Sequence, residues 1–153
     1  MKLAKAAFDA ITAHAVAEYP FEACGLLVGV GDAIAEAVPC INHQNRYHAK
    51  LPDEFPRDAA TAYFLDYRDI ERVAEEARAR GQALRGIFHS HVDCGAYFSA
   101  EDRVVALSGG DAPTFPDFVQ IVVSVESRVV KAARAFCWDA AVRDFVEVEI
   151  KEG

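Results

Sequence analysis

No apolar stretch in the 153 residues approaches the roughly 20 that a membrane-spanning helix requires, so a soluble protein is expected. Basic residues are scarce. Lys and Arg number 16 against 24 Asp and Glu, a formal net charge of -8, and no long basic run exists. Phosphate contacts need clustered cations, so this balance argues against a general nucleic-acid binder, while the acidity favours solubility and suits a basic partner. Cysteine is limited to Cys24, Cys40, Cys94 and Cys137, with no Cys-x-x-Cys pair. A chain of this size needs no disulfide, and the four read as reduced, cytoplasmic thiols. No secretion signal is expected in the opening residues: Asp9 and His14 interrupt the alanine-rich start, whereas Leu3, Ala7, Ile11 and Ala15 recur at helical spacing and predict an amphipathic first helix. Internal repeats and low-complexity segments are absent. With 52% hydrophobic residues, the chain is expected to form one domain, residues 1–153, around a sizeable core.

Ala23 to Val30 and Ala33 to Cys40 read as a strand pair turned at Gly31-Asp32, with Gly25 and Gly29 marking close backbone approach. From Asn42 to Pro56 the chain is polar, holds Pro52 and Pro56, and shows little periodicity; it reads as a loop of the kind that carries binding functions. Within it His43 and His48 read as surface residues, and Arg46 and Tyr47 as minor candidates for substrate contact. Tyr63 to Leu65 reads as a short strand. Asp66 or Asp69 caps a helix over about 68–80, with Ile70, Val73, Ala74 and Ala77 inward and Glu76 paired with Arg80 one turn on. Gly109 to Pro113 breaks the chain. Phe118 to Val125 reads as a buried strand, and Val129 to Trp138 and Phe145 to Ile150 complete a meander whose Glu147 and Glu149 face water. Strands at both ends with helices between them indicate an α/β sandwich or α+β sheet of mixed strand directions.

The segment of most chemical interest is His89-Ser90-His91, preceded by Ala83 to Phe88, which is apolar and partly β-branched or aromatic. Side chains alternate along a strand, so the two imidazoles project from the same face at its end. Ser99-Ala100-Glu101-Asp102 then opens the run Val104 to Leu107, which places Asp102 in a helix's first turn. Two histidines and a carboxylate are a sufficient protein set for a catalytic zinc, which takes three such ligands and keeps one position open. Taken singly, each feature has a plainer reading. His-x-His on a strand is commonly structural, Ser99-x-x-Asp102 is a helix capping box, and Glu22 is a solvated carboxylate before a strand. Cys94 offers an alternative soft ligand through His91-x-x-Cys94, and Asp93 reads as a loop charge.

Together these residues resemble the JAMM, or MPN-domain, metallopeptidases, whose motif is an upstream Glu, then His-x-His, seven residues, and Ser-x-x-Asp. Glu22, His89, His91, Ser99 and Asp102 match it one by one, and the order of elements is similar from about Phe8 to Val148. One departure is Val92, where the family usually has proline. The resemblance implies an MPN-like mixed, curved sheet flanked by helices, with cytidine-deaminase-like layering. It also implies one Zn²⁺ held by His89, His91 and Asp102, Glu22 as general base and acid, and Ser99 as oxyanion stabiliser. The function it implies is hydrolysis of an amide by metal-activated water. Similarity to the prokaryotic branch further implies a peptide substrate or the C-terminal tail of a ubiquitin-like or sulfur-carrier protein. Alternatives are a non-catalytic MPN-type scaffold that binds a protein partner, and a small-molecule amidase with the same zinc chemistry.

Overall fold

The computed structural model describes residues 1–153. Its elements, in order, are β1 (Lys2–Leu3), α1 (Lys5–Glu18), β2 (Cys24–Val30), β3 (Ala33–Cys40), α2 (Gln44–Lys50), α3 (Tyr67–Ala79), β4 (Ala83–Val92), α4 (Ala100–Leu107), β5 (Val119–Glu126), β6 (Val129–Asp139), β7 (Asp144–Val148) and β8 (Lys151–Glu152). All eight strands form one sheet in the order β7-β6-β5-β4-β2-β3-β1-β8. Most neighbours are antiparallel, but β4 and β5 run parallel, as does β1 with both β3 and β8. The mixed sheet expected from the sequence is therefore observed. No helix is long and apolar enough to cross a membrane.

β2 and β5 are apolar without alternation because both faces of the sheet are covered there. On one face α1 lays Ala7, Ile11 and Ala15 against Leu27, Phe88, Ile121 and Val123. On the other, Val73 and Ala77 of α3 pack on Leu26, Val28 and Cys40. Gly25 allows close approach of its neighbours: a Cβ there would collide with the Phe88 ring and the Val38 carbonyl. Gly25→Ala is expected to destabilise the protein by about 1–3 kcal/mol through overpacking, read as a lower midpoint in urea. An unchanged midpoint would show that the ring and strand yield freely.

Parallel β4 and β5 cannot be joined by a tight turn. The crossover between them carries α4 over the second face, above the end of β4, and this delivers Asp102 to the two histidines.

Several local expectations need correction. Gln44–Lys50 is helical rather than loop, and Tyr47 is turned into a cluster with Phe55 and Phe64, at ring separations of 5.0 and 4.5 Å. The helix has no apolar stripe to betray it. Tyr63 to Leu65 is not a strand; the His43 N–H donates to the Phe64 carbonyl at 3.0 Å and the Phe64 N–H to Asn42 Oδ1 at 3.0 Å. Asp66, not Asp69, caps α3 by accepting from the Arg68 N–H at 2.9 Å. Glu76 pairs with Arg72, and Arg80 reaches across to Glu36 on β3 at 2.7 Å, a partner that helical spacing cannot reveal. Leu3 lies on β1, outside the first helix. The strand expected over Phe145 to Ile150 stops at Val148, as β7, because the chain leaves for β8 on the opposite edge. Glu147 and Glu149 are exposed as expected, while Phe145, on the same face as Glu147, packs on Phe98 with ring centroids 4.5 Å apart.

Candidate metal centre

β4 ends with His89 and His91 on the α3/α4 face, both buried. Asp102 is placed by a complete capping box at the start of α4. Ser99 Oγ accepts from the Asp102 N–H at 3.1 Å, and Asp102 Oδ2 accepts from the Ser99 N–H at 2.9 Å. The plain reading of Ser99-x-x-Asp102 is thus correct, and the same cap holds both carboxylate oxygens against the histidines. Ser99→Ala is expected to lower stability by about 1 kcal/mol, seen as a lower Tm, because the Asp102 amide loses its acceptor. A Tm equal to wild type would mean that the cap contributes nothing.

The three side chains converge. His89 Nε2 and His91 Nε2 are 3.3 Å apart, His89 Nε2 is 3.1 Å from Asp102 Oδ1, and His91 Nε2 is 3.2 Å from Asp102 Oδ2. Zinc binds nitrogen and oxygen at about 2.0–2.1 Å, and the edge of a tetrahedron with such bonds is about 3.3 Å. The donor set and its spacing therefore fit a tetrahedral cation. The His91 ring is held by its Nδ1–H, which donates to the Gly95 carbonyl at 2.9 Å and leaves the Nε2 lone pair free. His89 is held differently. Its Nδ1 is buried without a partner, and its ring stacks on Tyr63 at 4.6 Å.

Glu22 lies two residues before β2. Cys24 pairs in register with His89, and Ala23 and Ser90 extend the ladder: the Ser90 N–H donates to the Ala23 carbonyl at 2.9 Å, and the Ala23 N–H to Ser90 Oγ at 2.7 Å. Continuing that register sets Glu22 opposite His91. Its backbone is clamped on both sides, its N–H donating to Ala59 at 2.7 Å and its carbonyl accepting from Asn42 Nδ2 at 2.9 Å. Asn42 also accepts from the Gln44 and Phe64 amides, so one side chain ties β3, α2 and the 59–64 segment to Glu22. Asn42, Ser90 and Tyr63 escape sequence reasoning. Only Ser90 carried a visible signal, as a polar residue in an otherwise buried strand; the partners of Asn42 lie about twenty residues away on either side.

Electrostatics follow from burial. Glu22 is 6% exposed, and desolvation, reinforced by the negative Asp102, pushes its carboxyl up to about 9 against a smaller opposing pull from Arg57. For Asp102, burial acts upward as well, but the charge of His89 and hydrogen bonds from His89, His91 and Ser99 hold it far below the usual carboxylate range. Two neighbouring carboxyls are thus driven apart, one toward the acid and one toward the anion.

The alternative ligands are placed elsewhere. Asp93 accepts from Tyr19 Oη at 2.8 Å and from the Ser127 N–H at 3.0 Å. Cys94 is half-buried and lies outside the His89, His91, Asp102 group. His43 and His48 are also outside it, half-buried rather than on the surface, with His48 Nδ1 2.6 Å from the Phe55 carbonyl.

The family described as prokaryotic homologs of the JAB domain matches residues 4–139. The chain belongs to this family. No curated protein matches the sequence. Among solved structures, protein DSY2949 from Desulfitobacterium hafniense is 26% identical with a TM-score of 0.74, covering 99% of this chain and 93% of that one. AF2198, a JAB1/MPN domain protein from Archaeoglobus fulgidus, is 18% identical with a TM-score of 0.56, covering 100% and 96%. A third, described as JAMM, a metalloprotease-like zinc site in the proteasome and signalosome, is 19% identical with a TM-score of 0.51, covering 99% and 98%. The curled mixed sheet flanked by helices is thus that of JAB/MPN proteins.

Proposed function

We propose that this JAB-family protein is a zinc-dependent peptidase or isopeptidase. The observation that carries the reading is the convergence of His89, His91 and Asp102 on one point, with Glu22 buried beside them. His89, His91 and Asp102 would hold the zinc, which when bound supplies Lewis acidity, polarising a carbonyl and bringing the ionisation of water from about 15.7 toward 7. Glu22 accepts the proton of the attacking water and delivers it to the amide nitrogen as the C–N bond breaks. Burial raises the affinity with which Glu22 holds the proton it delivers, and a cation bound at the neighbouring histidines would favour the carboxylate that accepts it. The Ser99 oxygen is already an acceptor in the cap, so its hydroxyl hydrogen is available to the oxyanion that develops.

A metalloprotease-like zinc site in a protein of the same fold supports this reading. The substrate class we favour is the C-terminal tail of a ubiquitin-like or sulfur-carrier protein, or a peptide of similar form. The setting we favour is the cytoplasm, in keeping with four unpaired cysteines. The test is incubation of the zinc-loaded protein with such a carrier bearing a short C-terminal extension, followed by intact mass spectrometry. Loss of the extension, abolished by chelation, is expected. An intact tail on every carrier and peptide offered, with zinc present, would overturn the reading.

A further inference from the structure

Between Val119 and Val125, β5 is apolar except at Gln120 and Ser124. Ser124 is 1% exposed, and a hydroxyl buried in a strand otherwise built of valine and isoleucine costs free energy unless it is bonded. A single bond satisfies it. Its Oγ donates to the Cys94 carbonyl at 2.5 Å. Ser124 is also the register partner of His91 on parallel β4, so the two side chains stand side by side on one face of the sheet. The next carbonyl along the loop, that of Gly95, is the one to which the His91 ring donates. Serine and histidine thus hold successive carbonyls of one loop. The residue before them is held as well: the Asp93 N–H donates to the Val125 carbonyl at 2.8 Å, and its carboxylate accepts from Tyr19 Oη and the Ser127 N–H. Asp93 has a φ of 54°, in the left-handed region that residues with a Cβ seldom adopt unaided.

We propose that Ser124 is a positioning residue for His91: by holding the Cys94 carbonyl it fixes the loop that presents the Gly95 carbonyl, and so fixes the imidazole with Nε2 toward Asp102. Its consequence for zinc rests on the metal reading above. The two histidines differ in how far they depend on such a hold. His89 lies against the Tyr63 ring and has no partner at Nδ1, whereas His91 takes its orientation through one hydrogen bond to a loop. A loop carbonyl orients a ring no better than the loop itself is fixed. Asp93 anchors only the entry, and the dihedrals of Cys94 stay free to turn the Gly95 carbonyl away unless the plane of the peptide between them is held at the Cys94 carbonyl. Valine at position 124 would suit the strand, yet it would leave that carbonyl without its donor.

The test reads the ring directly, in the metal-free full chain and apart from turnover. Exchange of the His91 Nδ1 proton with water, followed by NMR of isotope-labelled protein, is expected to be slow in the wild type and about threefold to tenfold faster in Ser124→Ala, the effect of one lost hydrogen bond. Zinc affinity, from competition with a chelating dye, should fall about tenfold, within the range for groups that orient a metal ligand. Ser124→Thr keeps the hydroxyl and should keep both values. Val123→Ala, on the opposite face of β5 in the core beneath α1, loosens the strand without touching the loop and should change neither. A ring proton that exchanges in Ser124→Ala as in the wild type, or equal losses in Val123→Ala, would overturn the proposal. So would a wild type that binds zinc and a Ser124→Ala variant that binds it equally well. Faster exchange in Ser124→Ala beside a wild type that takes up no zinc would end the metal reading and leave Ser124 as the residue that sets the His91 ring.

Discussion

Asp102→Ala and His89→Ala are each expected to purify with almost no zinc where the wild type carries close to one per chain. Groups that merely orient a metal ligand are worth about 10–100-fold in affinity, so deleting a ligand itself should cost more. The effect reaches stability, because a cation that binds the folded state alone stabilises it by about 4 kcal/mol at a free concentration a thousandfold above Kd. For a chain of this length that corresponds to a rise in Tm on the order of 10 °C. Elemental analysis and thermal melts with and without a chelator read both quantities. In either variant the chelator should leave the melt unmoved. A wild type that takes up no zinc after reconstitution under reducing conditions, and whose melt ignores chelators, would remove the metal centre. It would also turn attention to the family member as a binding scaffold.

Glu22→Gln separates chemistry from metal binding. It should keep its zinc and lose about 10² to 10⁴ in turnover, the usual contribution of a positioned proton-transfer group. Full activity in this variant would end the role assigned to Glu22. The same substitution should stabilise the metal-free fold at neutral pH, and the sign follows from linkage. The carboxyl titrates near 9 in the folded chain against an ordinary value of 4.5, so its raised proton affinity supports folding fully below about 4.5. That support is lost as pH rises toward 9, since the unfolded chain there releases a proton that the folded chain must keep. Glutamine has no proton to lose. The variant's advantage should therefore be absent near pH 4 and reach about 1–3 kcal/mol near pH 7 to 8, measured by urea denaturation of chelated protein. Parallel pH profiles for the two proteins would show that Glu22 is not held in a desolvated state.

These two experiments bear on different residues of one pocket, yet their readouts are independent. Zinc content should follow His89, His91 and Asp102, whereas the difference in pH slope between the two metal-free proteins should follow Glu22. A functional hydrolase requires both results.

Much of the centre was written in short-range pattern. His89 and His91 share a face because strand side chains alternate, and Ser99 and Asp102 meet because helical caps join positions three apart. Both rules act within a few residues, so sequence alone named the candidate ligand set His89, His91 and Asp102, the unbroken apolar strands β2 and β5, and the inward face of α3. Tertiary structure decided what depends on distant partners. Asn42 reveals its task only when β3, α2 and the 59–64 segment are brought around Glu22. Helix α2, without an apolar stripe, is held by that hub and by the stacking of Tyr47 with Phe55 and Phe64. The cavity between α4 and the 54–70 segment exists because the β4-to-β5 crossover lays that helix opposite the segment. Periodicity records which side of an element is buried; it carries no information about which remote element buries it, and the depth around Glu22 that raises its proton affinity is a property of that packing.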